Sequence, residues 1–91
     1  MFKQTNIIKN LPANTSYMLD FKEKQENFPG FISSISSSSN GIITTIHTWN
    51  NIDDHYNFIK NNQEFLLTMG KNRDIAWAAS NTTMTVSYSI E

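Results

Sequence analysis

Cysteine is absent from this chain of 91 residues, and proline and glycine are scarce, with two and three residues. The lack of cysteine excludes disulfides, thiol nucleophiles and thiolate metal sites. Seven Lys and Arg residues against eight Asp and Glu give a formal net charge of -1, which predicts no binding surface for nucleic acid or an anionic membrane. No signal-peptide core and no membrane-length apolar run is present. We therefore expect a soluble, cytoplasmic protein.

The length of the chain fits one domain, residues 1–91. A domain of this size buries only about 60–65% of the surface that its unfolded chain exposes. A partner subunit that covers further apolar surface would therefore stabilise it, which favours a homodimer.

The strongest local signal is the dipeptide Asn40-Gly41 between two runs compatible with β-strands, Phe31–Ser39 and Ile42–Trp49. Asn-Gly is favoured in type I′ turns because both central residues take a positive φ. This pattern predicts a β-hairpin. Since side chains alternate along a strand, His47 and Trp49 are expected on the same face of the sheet.

Two further strands are expected at the ends of the chain. Residues Phe2–Leu11 mix apolar and polar side chains and stop at Pro12, which cannot continue a ladder. Near the C-terminus, apolar residues alternate with Thr and Ser over Met84–Ile90, as in a half-buried strand. Residues 71–82, between this strand and the preceding helix, are predicted to be irregular.

The first predicted helix begins at Asn14, a good N-cap residue, and ends before Pro29-Gly30. The second starts at Asn50-Asn51, a capped N-terminus, with Asp53 and Asp54 three or four places on, where the helix dipole favours negative charge. An apolar arc predicts that this second helix covers residues 52–68, with Gly70 just beyond its end.

The predicted order β-α-β-β-α-β indicates a ferredoxin-like α+β fold, a four-stranded antiparallel sheet with two helices on one face. The other face of the sheet is semi-apolar. We therefore expect two copies of the chain to pack sheet on sheet, with pairing of edge strands as the alternative.

The segments around the hairpin resemble a known family. They are Pro29-Gly30-Phe31, the Asn-Gly turn, and Thr48-Trp49-Asn50 followed by the acidic helix start. Together they are similar to the antibiotic biosynthesis monooxygenase-like family of dimeric α/β barrels, over nearly the whole chain. The resemblance implies a pocket between sheet and helices in each protomer. Family enzymes oxidise polycyclic phenols without metal or flavin, and a related branch binds haem and opens its ring.

The residues on which those two branches depend are only partly present. Asn6 matches an Asn on the first strand of the haem-degrading branch. The Trp of that branch falls on Phe58 here, and its His falls near Thr68. Trp49 matches the cofactor-free branch. In that branch a strand Asn and a helix Tyr are also used, and here Thr45 and His55 stand at those places.

Three polar residues are the candidates for catalysis: His47, His55 and Asn6. Either imidazole can act as a general base near its ordinary pKa of about 6.5, although a purely structural histidine is an alternative for each. The amide of Asn6 can hydrogen-bond a substrate carbonyl or dioxygen. The candidates for substrate binding are aromatic: Trp49, Phe58, Tyr17 and Trp77. Trp77 and Arg73 fall in the segment predicted to be irregular, where they would close a pocket or a dimer seam.

A metal site formed by His47, Asp53, Asp54 and His55 is not predicted, because their spacing matches no standard motif and the two aspartates already have a capping role. Three functions remain open. The first is a cofactor-independent monooxygenase-like enzyme for an aromatic or apolar small molecule. The second is a non-catalytic dimeric module that binds haem or another flat apolar ligand. The third is an orphan structural domain whose pocket is filled by its own Phe and Met side chains.

Overall fold

A computed structural model describes residues 1–13 and 15–91, apart from the side chain of Tyr17. The predicted N-cap Asn14 therefore lies outside the described residues. The elements are β1 (Phe2–Lys9), a 3₁₀ turn (Ser16–Met18), α1 (Leu19–Glu26), β2 (Phe31–Ser39), β3 (Ile42–Trp49), α2 (Ile52–Asn61), α3 (Gln63–Ser80) and β4 (Thr83–Ile90). Within the described part of the chain, no helix combines the length and the apolar character that crossing a membrane requires.

The four strands form one antiparallel sheet in the order β2-β3-β1-β4. This arrangement confirms the predicted ferredoxin-like α+β fold with a four-stranded sheet. The register places Gln4 beside His47 on one side and Tyr88 on the other. Side chains of β1 at even positions therefore share one face with His47 and Trp49, as the alternation predicted.

The hairpin at Asn40-Gly41 is confirmed, because both residues take the positive φ of a type I′ turn, 53° and 76°. The two strands pair from Ser39 and Ile42 onward without interruption until an irregularity between Phe31 and Ser33. This irregularity leaves Ile32 as an extra residue in β2, 50% exposed.

The prediction for the second helix was wrong in two respects. The helix does not run from 52 to 68, because α2 ends at Asn61 and Asn62 takes φ -130°, ψ 28°. The Asn62 side chain donates its Nδ2–H to the Phe58 carbonyl at 2.8 Å, a local bond that competes with a continuous helix. The segment 71–82 is also not irregular, since α3 continues through it to Ser80. The described part of the chain consequently has three α-helices rather than the predicted two.

The extension of α3 has a physical cause in its composition. Lys, Arg and three Ala residues between positions 71 and 79 are strong helix formers, and they carry the helix past Gly70. The left-handed residue that ends the helix is Asn81, with φ 53°, rather than the glycine.

The packed core lies at one end of the sheet. Phe2, Trp49 and Phe58 are almost completely buried there. The partly buried side chains packed against them are Phe21, Phe28, Phe31, Ile52 and Leu66. The sheet extends beyond this cluster, so the remainder of its inner face is left for a cavity.

The outer face of the sheet exposes β-branched residues. Ile7, Ile35, Ile42 and Ile46 are 36 to 66% exposed. Ile35 and Ile46 are cross-strand neighbours in the register. Threonine residues of β1 and β3 stand between these isoleucines, and Lys3 and Lys9 are the charged residues that β1 adds to this face.

Candidate functional site

A cavity of about 840 Å³ lies between the inner face of the sheet and the helices. This volume falls within the range of pockets that hold drug-sized ligands, roughly 300–1,000 Å³. Residues of β1 to β4 and of all three helices line it. The pocket is therefore not filled by the chain's own Phe and Met side chains, as the structural-domain hypothesis required.

The floor of the cavity includes two polar rows that cross the strands, beside an apolar row of Ile43, Ile8 and Met84. In the first, Ser34 pairs with His47, which pairs with Gln4. In the second, Ser36 pairs with Thr45 and Thr45 with Asn6. All six residues line the cavity. Their side chains are neutral or weakly basic, so the floor offers hydrogen bonds without negative charge.

Hydrogen bonds within these rows hold the side chains in place. The Nε2 of Gln4 donates to the Oδ1 of Asn6 at 2.9 Å, and the hydroxyls of Ser36 and Thr45 are 2.9 Å apart. Because the Asn6 carbonyl oxygen accepts the bond from Gln4, its NH₂ group is the end available to a ligand.

His47 lies in the middle of the first row. Its Nδ1 is hydrogen-bonded to the hydroxyl of Ser34, so Nε2 is the ring nitrogen through which it can act on a ligand. Burial in the cavity floor lowers the pKa of His47 from 6.5 to about 4, and the nearby His55 contributes to the same change. The imidazole is therefore neutral at pH 7.

His55 reaches the same cavity from α2. It is only 7% exposed, and its ring contacts Phe2 and Trp49, with ring centres 4.9 Å and 5.8 Å away. Burial lowers the pKa of His55 as well. Its Nδ1 is buried and has no hydrogen-bond partner within the described residues. A buried polar atom of this kind is costly unless a ligand or water satisfies it.

The structure thus brings the three predicted catalytic residues, His47, His55 and Asn6, to one cavity. Of the residues predicted to bind substrate, Phe58 and Trp77 are buried and line it.

The other two residues predicted to bind substrate are Trp49 and Tyr17. Trp49 is fully buried and packs against the rings of Phe58 and His55, behind the cavity wall. The Tyr17 side chain lies outside what the structure describes.

The helical wall includes two residues that the sequence placed in an irregular segment. Leu66, Met69, Gly70, Arg73 and Trp77 follow one another at intervals of three, one, three and four along α3, and all line the cavity. This is the spacing of one helix face. The sequence contains the same spacing on both sides of Gly70. Following it past this glycine, where the helix was predicted to end, predicts the extension of α3.

Sequence reasoning also missed Gln4 and Ser34. Gln4 alternates with Phe2 and Asn6 on β1, so its face follows once Asn6 is assigned to the cavity. Ser34 was hidden in a run of serines, and only the strand register shows which serine meets His47.

Asp53 and Asp54 do not face the cavity, and they lie in the first turn of α2. The backbone N–H of Asp54 donates to the Asn51 side chain at 2.9 Å, which confirms the capped start predicted at Asn50-Asn51 and identifies Asn51 as the N-cap. Among residues 1–13 and 15–91, no group of three or more His, Asp or Glu side chains is arranged to hold a metal ion.

Comparison with known proteins identifies the fold but gives no match in sequence. No family model and no curated protein matches the chain. Among solved structures, a mutant of SnoaB, a cofactor-independent oxygenase from Streptomyces nogalater, superposes with a TM-score of 0.71 and 12% identity, covering 99% of this chain and 91% of that one.

Two further structures are similar over the whole chain. One is a protein from Deinococcus radiodurans assigned as an antibiotic biosynthesis monooxygenase, with a TM-score of 0.62, 11% identity and coverage of 100% and 92%. The other is an antibiotic biosynthesis monooxygenase with a TM-score of 0.63, 14% identity and coverage of 100% and 98%. The chain therefore has the antibiotic biosynthesis monooxygenase-like fold.

Proposed function

We propose that this protein is a cofactor-independent oxygenase that acts on an aromatic small molecule. The observation that carries the proposal is the convergence of two neutral imidazoles and the Asn6 amide on one cavity of about 840 Å³ with apolar walls. A flat apolar molecule fits such walls, and the polar floor would orient it. The fold shared with known oxygenases supports the same reading.

In the proposed reaction the substrate supplies the electrons. His47 accepts a proton from an acidic C–H or O–H of the bound ring system through Nε2. The imidazolium is stabilised by the substrate anion beside it, because an opposite charge nearby raises a histidine pKa. The Asn6 NH₂ donates a hydrogen bond to the oxygen on which the negative charge develops.

The substrate anion then reacts with dioxygen. For anthrone, a neutral polycyclic compound with a phenolic tautomer, the ring CH₂ loses two hydrogens and gains one oxygen atom of O₂ as a carbonyl. The second oxygen atom leaves with the two hydrogens as water. The sum is anthrone plus O₂ giving anthraquinone plus water, so no external reductant is needed.

The first prediction concerns this turnover. We expect the wild-type protein to accelerate the oxidation of anthrone, measured as anthraquinone absorbance and oxygen uptake, with ¹⁸O₂ supplying the new carbonyl oxygen. His47→Asn should lower the rate by a factor of about 10²–10⁴, the usual contribution of a general base.

Lys60→Gln, an exposed change on α2 away from the cavity, serves as the matched control and should leave the rate unchanged. The enzymatic proposal fails if wild type, His47→Asn, His55→Asn and Asn6→Ala all oxidise every accepted substrate at one rate.

The proposal includes a homodimer formed through the outer face of the sheet. Ile7, Ile35, Ile42 and Ile46 lie there, with Lys9 beside Ile42 at the edge of the group. A second copy packed on this face would remove these side chains from water.

A second candidate function is binding of haem without turnover. It is favoured by the two imidazoles in the cavity, since His is a usual axial ligand of haem iron. Titration of the purified protein with haem separates the two functions. A saturable Soret shift that His47→Asn or His55→Asn removes supports haem binding, and the absence of any shift excludes it.

A further inference from the structure

The cavity has a charge asymmetry that the proposed reaction does not use. Lys22 and Arg73 line it from the helices, and no Asp or Glu among the described residues does. The chain as a whole has a formal charge of -1, so the positive lining is a local property of the cavity. A negatively charged group on a ligand would be attracted to this wall.

Arg73 is the better placed of the two cations. Its Nε is buried and has no hydrogen-bond partner in the part of the chain that the structure describes. Its guanidinium carbon lies 5.1 Å from the centre of the Trp77 ring, which holds the guanidinium against the cavity wall. Lys22 is 67% exposed and lies 3.9 Å from Glu26, so it belongs to the rim.

The ion pair between Arg73 and Asp74 leaves other N–H groups of the guanidinium available to a ligand. Its Nη2 lies 3.5 Å from Asp74, a residue whose side chain is 72% exposed, and such a surface pair contributes little. The two Nη groups carry four N–H donors, of which only Nη2 contacts Asp74, and they form a planar edge. This edge matches the two oxygens of a carboxylate.

Arg73 lines the cavity from α3, whereas His47 lies on its sheet floor and His55 lies on α2. Leu66 packs against the core cluster of Phe2, Trp49 and Phe58, near His55. Arg73 follows seven residues later on α3, which at 1.5 Å per residue is about 10 Å along the helix. A ligand that spans the cavity from its sheet floor to α3 can therefore contact His47 and Arg73 together.

We propose that the natural ligand carries a carboxylate at the end remote from its reacting ring, and that Arg73 binds this carboxylate while Trp77 holds the guanidinium. This inference rests on the proposed function, because it takes the cavity as the substrate site. It adds the chemical class of the substrate, an aromatic carboxylic acid, and assigns Arg73 as a specificity-determining residue.

The second prediction tests this with two fluorescent probes of the same ring system, anthracene-2-carboxylate and its neutral analogue anthracene-2-carboxamide. We expect the wild-type protein to bind the carboxylate about 10 to 100 times more tightly, as charged hydrogen bonds of 1.5–3 kcal/mol provide. Arg73→Gln should remove this preference and leave the Kd of the carboxamide unchanged. Arg73→Lys should keep part of it.

Lys71→Gln is the matched control, since it removes an exposed cation of the same helix that does not line the cavity. The inference is overturned if the wild type binds both probes equally, if Arg73→Gln weakens both probes alike, or if only Lys22→Gln removes the preference. If both probes bind equally, the cavity can still be the substrate site and only the role of Arg73 is excluded. If neither probe binds, the assignment of the cavity as the substrate site is overturned as well. Turnover of the neutral anthrone tests the reaction independently of Arg73.

Discussion

At the scale of single residues, the behaviour of His47 is set by its surroundings. The cavity floor removes water from the ring and His55 adds electrostatic repulsion against a proton, and both effects lower the pKa of His47. Both are absent when the chain is unfolded, and so is the hydrogen bond between Nδ1 and Ser34. The side chain therefore binds a proton more readily in the unfolded state than in the folded one.

The third prediction follows from this difference in pKa. Between pH 6.5 and about 4 the unfolded state protonates His47 and the folded state does not, so the free energy of unfolding should fall as the pH is lowered through this range. The loss is at most about 3 kcal/mol, and it is complete below pH 4. Urea unfolding at a series of pH values measures it.

His47→Asn keeps a hydrogen-bonding group near Ser34 but does not titrate, so its unfolding free energy should depend less on pH over the same range. The lowered pKa of His55 remains in that variant as an internal reference. Identical pH dependence in wild type and His47→Asn would contradict the placement of His47 in a desolvated site.

At the scale of elements, the packing of the hairpin against α2 depends on the close approach of Gly30 to the side chain of Asp54. Gly30 takes φ +91°, and a Cβ at this position would lie 2.2 to 2.5 Å from side-chain atoms of Asp54. The Gly30 carbonyl accepts a hydrogen bond from the Asn50 N–H at 2.7 Å. The entrance to β2 is therefore packed directly against the first turn of α2, the helix that positions His55 and Phe58.

The fourth prediction is that Gly30→Ala lowers the free energy of unfolding by about 2 kcal/mol or more, because an L side chain is strained at this φ and collides with Asp54. Urea unfolding at pH 7 measures the change.

Gly70→Ala is the matched control. Gly70 lies inside α3, and its added Cβ would meet nothing within 4 Å, so this variant should gain about 0.5–1 kcal/mol. A Gly30→Ala variant as stable as the wild type would show that Asp54 does not pack against this turn.

At the scale of the whole molecule, the two faces of the sheet carry different side chains. The inner face carries the core cluster at one end and the floor of the cavity, with its polar rows and the apolar row of Ile43, Ile8 and Met84, over the rest. The outer face carries exposed isoleucines, of which Ile35 is 66% exposed. A domain of this size buries a modest share of its surface, so covering the outer face would add stabilisation.

The fifth prediction is that the protein is a dimer in sedimentation equilibrium and that Ile46→Lys converts it to a monomer, since a lysine in the centre of the proposed interface would have to be buried without a partner.

Ile75→Lys, at a position that is 74% exposed on α3, should leave the dimer intact. A wild-type monomer, or an Ile46→Lys dimer as tight as the wild type, would exclude the outer face as the interface.

Local patterns determined much of the secondary structure. The hairpin at Asn40-Gly41 and the N-cap at Asn51 depend on the conformational preferences of a few neighbouring residues, and both were predictable. The end of α2 was not, because Asn62 competes for a backbone carbonyl within an otherwise apolar pattern. Gly70 was misleading because a glycine inside a helix and one beyond its end look alike in the sequence.

The sequence by itself determined the fold class, the face shared by His47 and Trp49, and the absence of cysteine chemistry. Only the tertiary structure decided that His47, His55 and Asn6 meet in one cavity, that Ser34 is the serine bound to His47, and that Arg73 lines the same cavity from α3. The physical reason is that strand pairing and helix packing join residues far apart in the chain, and neither the register nor the course of α3 follows from local preferences.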